Sequence, residues 1–315
     1  MSLKPARIQA GQERGPGVDA QYLLAFVGSN NGRRVFDRVA TRHELGVVPE
    51  DDTRTFSAAR RVDNMAIPTI TLASGHAIPQ LGLGTWQLQG QACETVVKEA
   101  LDLGYTHLDS AWMYQNQDAI GRALKEVGAR REDLFITSKI WHSHLEYDAA
   151  LGQMEEILRD LRTEYVDLLL IHHPGQGVPV EQTLAAFEKI HAAGQALSFG
   201  ISNFSIEQTD RARAATGLPL CTNQVEYHLH HQRDDLRRHC HAHGIFLTAH
   251  RPLAKGELAQ AGELQEIAAS HGKSPAQIAL KWLVQQDMIV IPKASSASHL
   301  RANLDLFDWQ LAWPL

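Results

Sequence analysis

Phe135-Ile136-Thr137-Ser138-Lys139 and Val166-Asp167-Leu168-Leu169-Leu170-Ile171-His172 are short apolar runs that each close on a polar side chain, separated by an amphipathic helical stretch, Leu145–Leu161. A third such run, His107-Leu108-Asp109-Ser110, precedes them, with Tyr114 just beyond it. Strand, helix and strand repeating in this way mark an α/β protein with a parallel sheet. If that sheet closes into a barrel, the C-terminal ends of its strands converge on one mouth. Asp109, Tyr114, Lys139 and His172 are therefore expected to meet.

The same rhythm extends in both directions. Strands are expected near Leu81–Thr85, Thr106–Ser110, Phe135–Lys139, Val166–His172, Leu197–Ser202, Thr222–Tyr227, Ile245–His250 and Met288–Lys293. Helical patterns lie between them at Ala92–Leu103, Asp118–Val127, Leu145–Leu161, Val180–Ala193, Ile206–Ala215 and Asp234–His243, and a longer stretch, Leu258–Gln286, is broken by Gly272 and Pro275. Eight such units in about 250 residues predict a (β/α)8 TIM barrel. Ile70–Pro79 alternates around Ser74-Gly75, which predicts a small hairpin capping the barrel bottom. A doubly wound sheet is the rival. Gly82-Leu83-Gly84-Thr85-Trp86 lacks the third glycine of a dinucleotide fingerprint, and its glycines are read as allowing a tight bend.

The four mouth residues form a coherent chemical set. Reducing a carbonyl with a hydride requires an acid for the oxygen and fixed donors where negative charge develops. A phenol with a pKa of roughly 10 can serve if a close ammonium, here Lys139, lowers that value. Asp109 would hold the lysine, and His172 would orient the carbonyl as a neutral donor. Singly, each has an ordinary reading: a loop aromatic, a strand-end lysine, a helix cap. Their joint order carries the argument.

From about Ile67 to Leu311 the chain resembles an aldo-keto reductase, closest to the bacterial diketogluconate-reductase and small-aldehyde-reductase branch. Leu108–Tyr114, Ser138-Lys139-Ile140-Trp141 and Leu170-Ile171-His172-His173-Pro174 resemble the segments that carry the family's catalytic tetrad. The resemblance implies a catalytic set of Tyr114, Lys139, Asp109 and His172, with NADPH as cofactor and NADH as an alternative. Gly200–Phe204 and Asn223–His228 resemble the nicotinamide carboxamide segments, which implies roles for Ser202, Asn203 and Gln224. Thr85 and Leu253 also fall at the implied cofactor site. Lys293 matches the lysine that pairs with the 2′-phosphate, and Asn303 falls where the family contacts adenine.

The chain also departs from the family pattern. His250 replaces the usual stacking tyrosine; if charged, it would disfavour the oxidised nicotinamide. Arg251 follows it where the family has serine and is expected to reach the pyrophosphate. Ala294 and His299 replace a hydroxyl residue and an arginine near the 2′-phosphate, so Lys293 is left as the main anion partner and NADPH preference should be weaker than the family norm. Trp86, Trp112 and Trp141 are expected to line an apolar pocket for a small or aromatic carbonyl.

Residues 1–64 stand outside the resemblance and are read as an extension, disordered or derived from upstream sequence, with the barrel at 65–315. No cleavable hydrophobic signal is visible in it. After Leu311 the family usually continues into a further helix and a substrate loop, so a more open pocket is expected here. The net charge is −6 and the three cysteines, Cys93, Cys221 and Cys240, are scattered. A cytoplasmic monomer is expected, without nucleic-acid or membrane partners. His228, His230, His231, His239, His241 and His243 form a histidine-rich stretch. With no acidic partner at a recognisable spacing, it is read as a solvated polar face, and no metal is expected. A nucleotide-binding barrel without catalysis and a truncated inactive product are the alternative functions.

Overall fold

The computed structural model describes residues 67–312; the expectations for residues 1–64 lie outside them. The hairpin comprises β1 (Thr69–Thr71) and β2 (Ala77–Pro79), paired antiparallel. Eight parallel strands follow in sequence order: β3 (Leu83–Gly84), β4 (His107–Asp109), β5 (Phe135–Ile140), β6 (Val166–Ile171), β7 (Ala196–Ser202), β8 (Leu220–Glu226), β9 (Phe246–His250) and β10 (Ile289–Val290). A parallel bridge between Leu81 and Val290 joins the first of these strands to the last. The backbone bonds Gly82 N–H to Val290 O and Val290 N–H to Gln80 O continue the seam. The sheet is therefore a (β/α)8 barrel rather than an open doubly wound sheet.

Helices α1 (Gly90–Asp102), α2 (Gln117–Glu126), α3 (Tyr147–Leu161), α4 (Val180–Ala192), α5 (Ile206–Ala214) and α6 (Asp234–Ala242) lie within a residue or two of their expected bounds. The stretch 258–286 differs. Ala254–Gln260 and Gly262–Leu264 are 3-10 turns, with Lys255 and Gly256 in the left-handed region, and only α7 (Gln265–His271) and α8 (Pro275–Val284) are α-helical. Gly272 ends α7 at φ 62°, and Ser274 starts α8 with a capping box to Gln277 ahead of Pro275. An additional helix, α9 (Ala297–Leu304), is capped by Ser296, which accepts the N–H of His299. Too short and too polar for a clear apolar period, it was not legible as a helix.

Period-2 alternation sorts each strand between two cores. Ile136, Leu169 and Ile171 belong to the large cluster under the helices, whereas Phe135, Leu168, Leu170, Cys221 and Ile289 pack with Leu72 and Ile78 of the hairpin segment in a second cluster. The hairpin thus plugs the barrel bottom, and Ser74 Oγ lies 2.8 Å from Ser198 Oγ. Above this plug the interior turns polar. Buried His107 sits 3.3 Å from Pro79 O through Nδ1 and 3.2 Å from Thr137 Oγ1 through Nε2, a pattern that a neutral imidazole satisfies. The reading of Gly82 and Gly84 as bend residues needs correction. Neither has a positive φ; a Cβ on Gly82 would stand 2.5 Å from the His107 ring, and one on Gly84 would collide with the Ile291 carbonyl. These glycines are there because the barrel closes tightly around them.

Burial depresses the His107 pKa to about 4. The unfolded chain, with a histidine pKa near 6.5, then binds the proton that the folded protein refuses. This contribution to stability is fully present above the unfolded value and is lost as pH falls toward the folded one, amounting to roughly 2 kcal/mol by pH 5. In urea unfolding at pH 7.5 and pH 5, His107→Gln should show a smaller acid loss of stability than the parent. An equal loss would mean that His107 is not refusing the proton.

Candidate active site

Every strand-end residue singled out above lies at the C-terminal end of the barrel strands. Asp109 ends β4, Lys139 is the penultimate residue of β5, His172 follows β6, Ser202 ends β7, Gln224 lies near the end of β8, and His250 ends β9. Tyr114 closes a 3-10 turn, Trp112–Tyr114, in the loop after β4. The barrel thus brings together side chains separated by more than a hundred positions.

At the centre is a buried ion pair. Lys139 Nζ is 2.6 Å from Asp109 Oδ1, donates to Ser110 O at 2.7 Å, and lies 3.4 Å from Tyr114 Oη. The side chains of Lys139 and Asp109 are 0% and 2% exposed. Burial alone would pull the ammonium pKa down; the Asp109 carboxylate and Tyr114 outweigh it, so the net direction is up and Lys139 stays charged. For Tyr114 the balance goes the other way. Burial raises the phenol pKa and the nearby ammonium only partly offsets it, which corrects the expectation of a lowered value.

His172 is neutral. Burial, reinforced by the Lys139 charge, depresses its pKa to about 2, and its buried Nδ1 has no hydrogen-bond partner. Its ring meets Tyr114 edge-on at 5.7 Å between centroids. His250 is also held neutral, its pKa pushed to about 3 by burial and by the Arg251 charge. Charge on the imidazole therefore cannot discriminate between the redox forms of a nicotinamide. His250 Nε2 instead lies 3.0 Å from Asn203 Oδ1, whose amide Nδ2 donates to His172 O and Ser202 Oγ.

The expected carboxamide-binding residues are linked to the tetrad as well as to one another. Gln224 Nε2 donates to Asp109 Oδ2 at 2.7 Å, and Ser202 Oγ donates to the Gln224 carbonyl at 2.7 Å. Asp109 is thus gripped from both sides, by Lys139 and by Gln224, a contact that no local spacing signals. Sequence reasoning also missed the scaffold beneath the tyrosine turn. Asn116 donates to Thr85 O and Leu88 O and accepts from Ser110 Oγ, and Gln117 donates to Ser138 Oγ at 2.6 Å.

Other expected residues are placed less simply. Thr85 is buried with its hydroxyl on Asp109 O, and Leu253 packs against the core. Arg251 Nη1 pairs with Glu226 Oε2 at 2.8 Å rather than standing free for a phosphate. Asn303 is buried beside the Tyr105 phenol, while His299 is exposed. Lys293 is exposed and makes no ion pair among the described residues. Trp86 stacks tilted on Tyr114 at 4.9 Å and Trp141 meets His172 at 4.9 Å. The third tryptophan does not share these contacts: Trp112 donates its indole N–H to Glu156 at 2.7 Å and packs on His144.

Residues 80–312 match the aldo/keto reductase family. This chain belongs to that family. As an aldo-keto reductase it is 36% identical to a glyoxal reductase of Bacillus subtilis over 245 residues, covering 78% of this chain and 88% of the relative. Among solved structures, an aldo/keto reductase from Brucella melitensis matches with a TM-score of 0.75 and 38% identity, covering 78% of this chain and 96% of that one. A Bombyx mori aldo-keto reductase solved in complex with NADP matches with a TM-score of 0.74 and 29% identity, covering 78% and 90%. The aldo-keto reductase described here is accordingly an oxidoreductase. No helix among its described residues is long and apolar enough to cross a membrane.

Proposed function

We propose that this aldo-keto reductase reduces a small or aromatic aldehyde or ketone to the alcohol with NADPH, using Tyr114 as the general acid. The observation that carries this reading is the hydrogen-bonded line from Asp109 through Lys139 to Tyr114 Oη, with neutral His172 beside it at the barrel mouth. The residues present fit the cofactor: Lys293 offers an exposed ammonium, without an ion-pair partner among the described residues, for a 2′-phosphate, and Ser202, Asn203 and Gln224 supply amide and hydroxyl groups beside the tetrad. NADPH, when bound, supplies the hydride. The phenol, raised by burial, holds its proton at neutral pH and gives it up only to an oxygen that is gaining negative charge. Lys139 then stabilises the phenolate left behind, and Asp109 keeps that ammonium in place. The His172 ring remains uncharged through this step and can donate to the carbonyl oxygen.

Trp86 against Tyr114 and Trp141 against His172 favour a compact apolar or aromatic carbonyl. The Bacillus subtilis relative, a glyoxal reductase, supports a small aldehyde. The test is NADPH oxidation by the full chain with glyoxal and 4-nitrobenzaldehyde, in the parent and in Lys293→Met. Turnover should be seen with either carbonyl, and loss of one charge-assisted contact should raise KM for NADPH by about tenfold or more while leaving KM for NADH nearly unchanged. Equal effects on both cofactors would remove Lys293 from the 2′-phosphate, and no turnover with any aldehyde would sink the reductase reading.

A further inference from the structure

On the outer wall of the barrel, away from the strand-end mouth, α5 and α6 bring together three metal-ligating side chains. His239 lies in the last turn of α6 and His243 follows its end, four residues on and on the same face. The acidic partner that sequence spacing did not supply comes from α5. Asp210 Oδ1 is 2.8 Å from His239 Nε2, and one ligand atom from each of Asp210, His239 and His243 lies within 4.8 Å of the other two. We propose that Asp210, His239 and His243 form a binding site for a divalent transition metal, best suited to Zn2+, that clasps α5 to α6.

The surroundings favour metal in three ways. First, the donors are already oriented. His243 Nδ1 donates to the His239 carbonyl at 2.9 Å, which fixes its tautomer and leaves Nε2 as the lone-pair nitrogen, the arrangement that backbone partners impose on metal-binding histidines. Arg213 and His239 both engage Asp210 Oδ1, leaving Oδ2 without a partner among the described residues. Second, the charge is suitable. Asp210 supplies a carboxylate beside the two imidazoles, and the C-terminal end of α6 carries the negative end of the helix dipole. Third, the distances are close. Metal–ligand bonds of about 2.1 Å require ligand atoms about 3.3 Å apart in a tetrahedral site, near the 2.8 Å between Asp210 and His239 and inside the 4.8 Å within which all three ligand atoms lie. Two imidazoles and a carboxylate leave a fourth position for water, a donor set that suits zinc and also admits nickel and copper.

The test uses the full chain carrying no added histidine tag, titrated calorimetrically with zinc chloride, beside His243→Ala, Asp210→Asn and, as a control in the neighbouring histidine cluster, His230→Ala. His243 and His230 are exposed and Asp210 is half-buried, and melting in EDTA checks that each variant folds like the parent. One equivalent should bind in the parent and in His230→Ala, with affinity lower by about tenfold or more in His243→Ala and Asp210→Asn. Co2+ should give visible d–d absorption in the parent that is lost in those two variants. Binding should also raise the parent's melting temperature by about 5 °C at saturating zinc. No stoichiometric uptake, unchanged affinity in His243→Ala, or loss of binding in His230→Ala would each overturn the site.

Discussion

Tyr114→Phe should lower kcat for NADPH-dependent reduction of 4-nitrobenzaldehyde by about 10³-fold, the scale of losing a positioned general acid, while NADPH still raises the melting temperature as it does in the parent. The substitution removes one oxygen. The ring's contacts with Trp86 and His172 remain, so the mouth keeps its shape. What disappears is the proton that Tyr114 Oη would give to the carbonyl oxygen, together with the phenolate that Lys139, 3.4 Å away, would stabilise. Loss of kcat with cofactor binding retained separates a role in the chemical step from a role in folding. Retained turnover would require another acid, and the neighbouring imidazole is a poor substitute: with a pKa near 2, His172 is no imidazolium at neutral pH and offers only the weakly acidic N–H of a neutral ring.

The second large effect is on stability. Lys139 and Asp109 form a pair with side chains 0% and 2% exposed, and removing one member of such a pair strands the other charge, at a cost of about 3–5 kcal/mol. Lys139→Met should therefore lower the urea unfolding free energy by that amount at pH 7.5. Asp109→Asn should do similar damage for an additional reason: the Gln224 amide that now donates to Asp109 Oδ2 would face either a second donor or a weaker acceptor. The double variant Asp109→Asn with Lys139→Met should be less destabilised than the sum of the two singles, because it leaves no unpaired charge. Strict additivity would show that the two side chains do not stabilise each other. All three variants should lose turnover, so the unfolding curves rather than the rates carry this test.

Neither experiment depends on details that periodicity obscures. The strands of the barrel were legible because their apolar runs are short, regularly spaced and separated by amphipathic stretches, and Val166–Ile171 is a continuous buried run of the kind a two-sided parallel strand needs. That Asp109, Tyr114, Lys139 and His172 meet was legible because each sits at or just beyond the end of such a run. Less legible were elements whose signals are short or mixed. The helical stretch expected from Leu258 opens instead on 3-10 turns, Ala254–Gln260 and Gly262–Leu264, the first of which holds Lys255 and Gly256 at positive φ. Helix α9 spans eight residues, too few for its period to stand out.

Charge balance was the least legible property. A lysine near a tyrosine suggests a lowered phenol pKa, but the sign depends on how deeply the ring is packed, and here burial outweighs the ammonium. Arg251 reads in sequence as a free phosphate partner, but Glu226, 25 positions earlier, pairs with it at 2.8 Å. Spacing within the histidine-rich stretch shows no acidic partner because Asp210, which contacts His239, comes from the preceding helix, 29 positions earlier.

The amino-acid sequence by itself determined the parallel strand-helix rhythm, the hairpin at the barrel bottom and the order in which Asp109, Tyr114, Lys139 and His172 arrive at the strand ends, because local hydrophobic period and turn chemistry are written in neighbouring residues. Tertiary structure alone decided the seam between Leu81 and Val290, the grip of Gln224 on Asp109 across 115 positions, and the protonation of Tyr114, His172 and His250. Those depend on distance and desolvation between segments remote in the chain, and only the closed barrel brings them together.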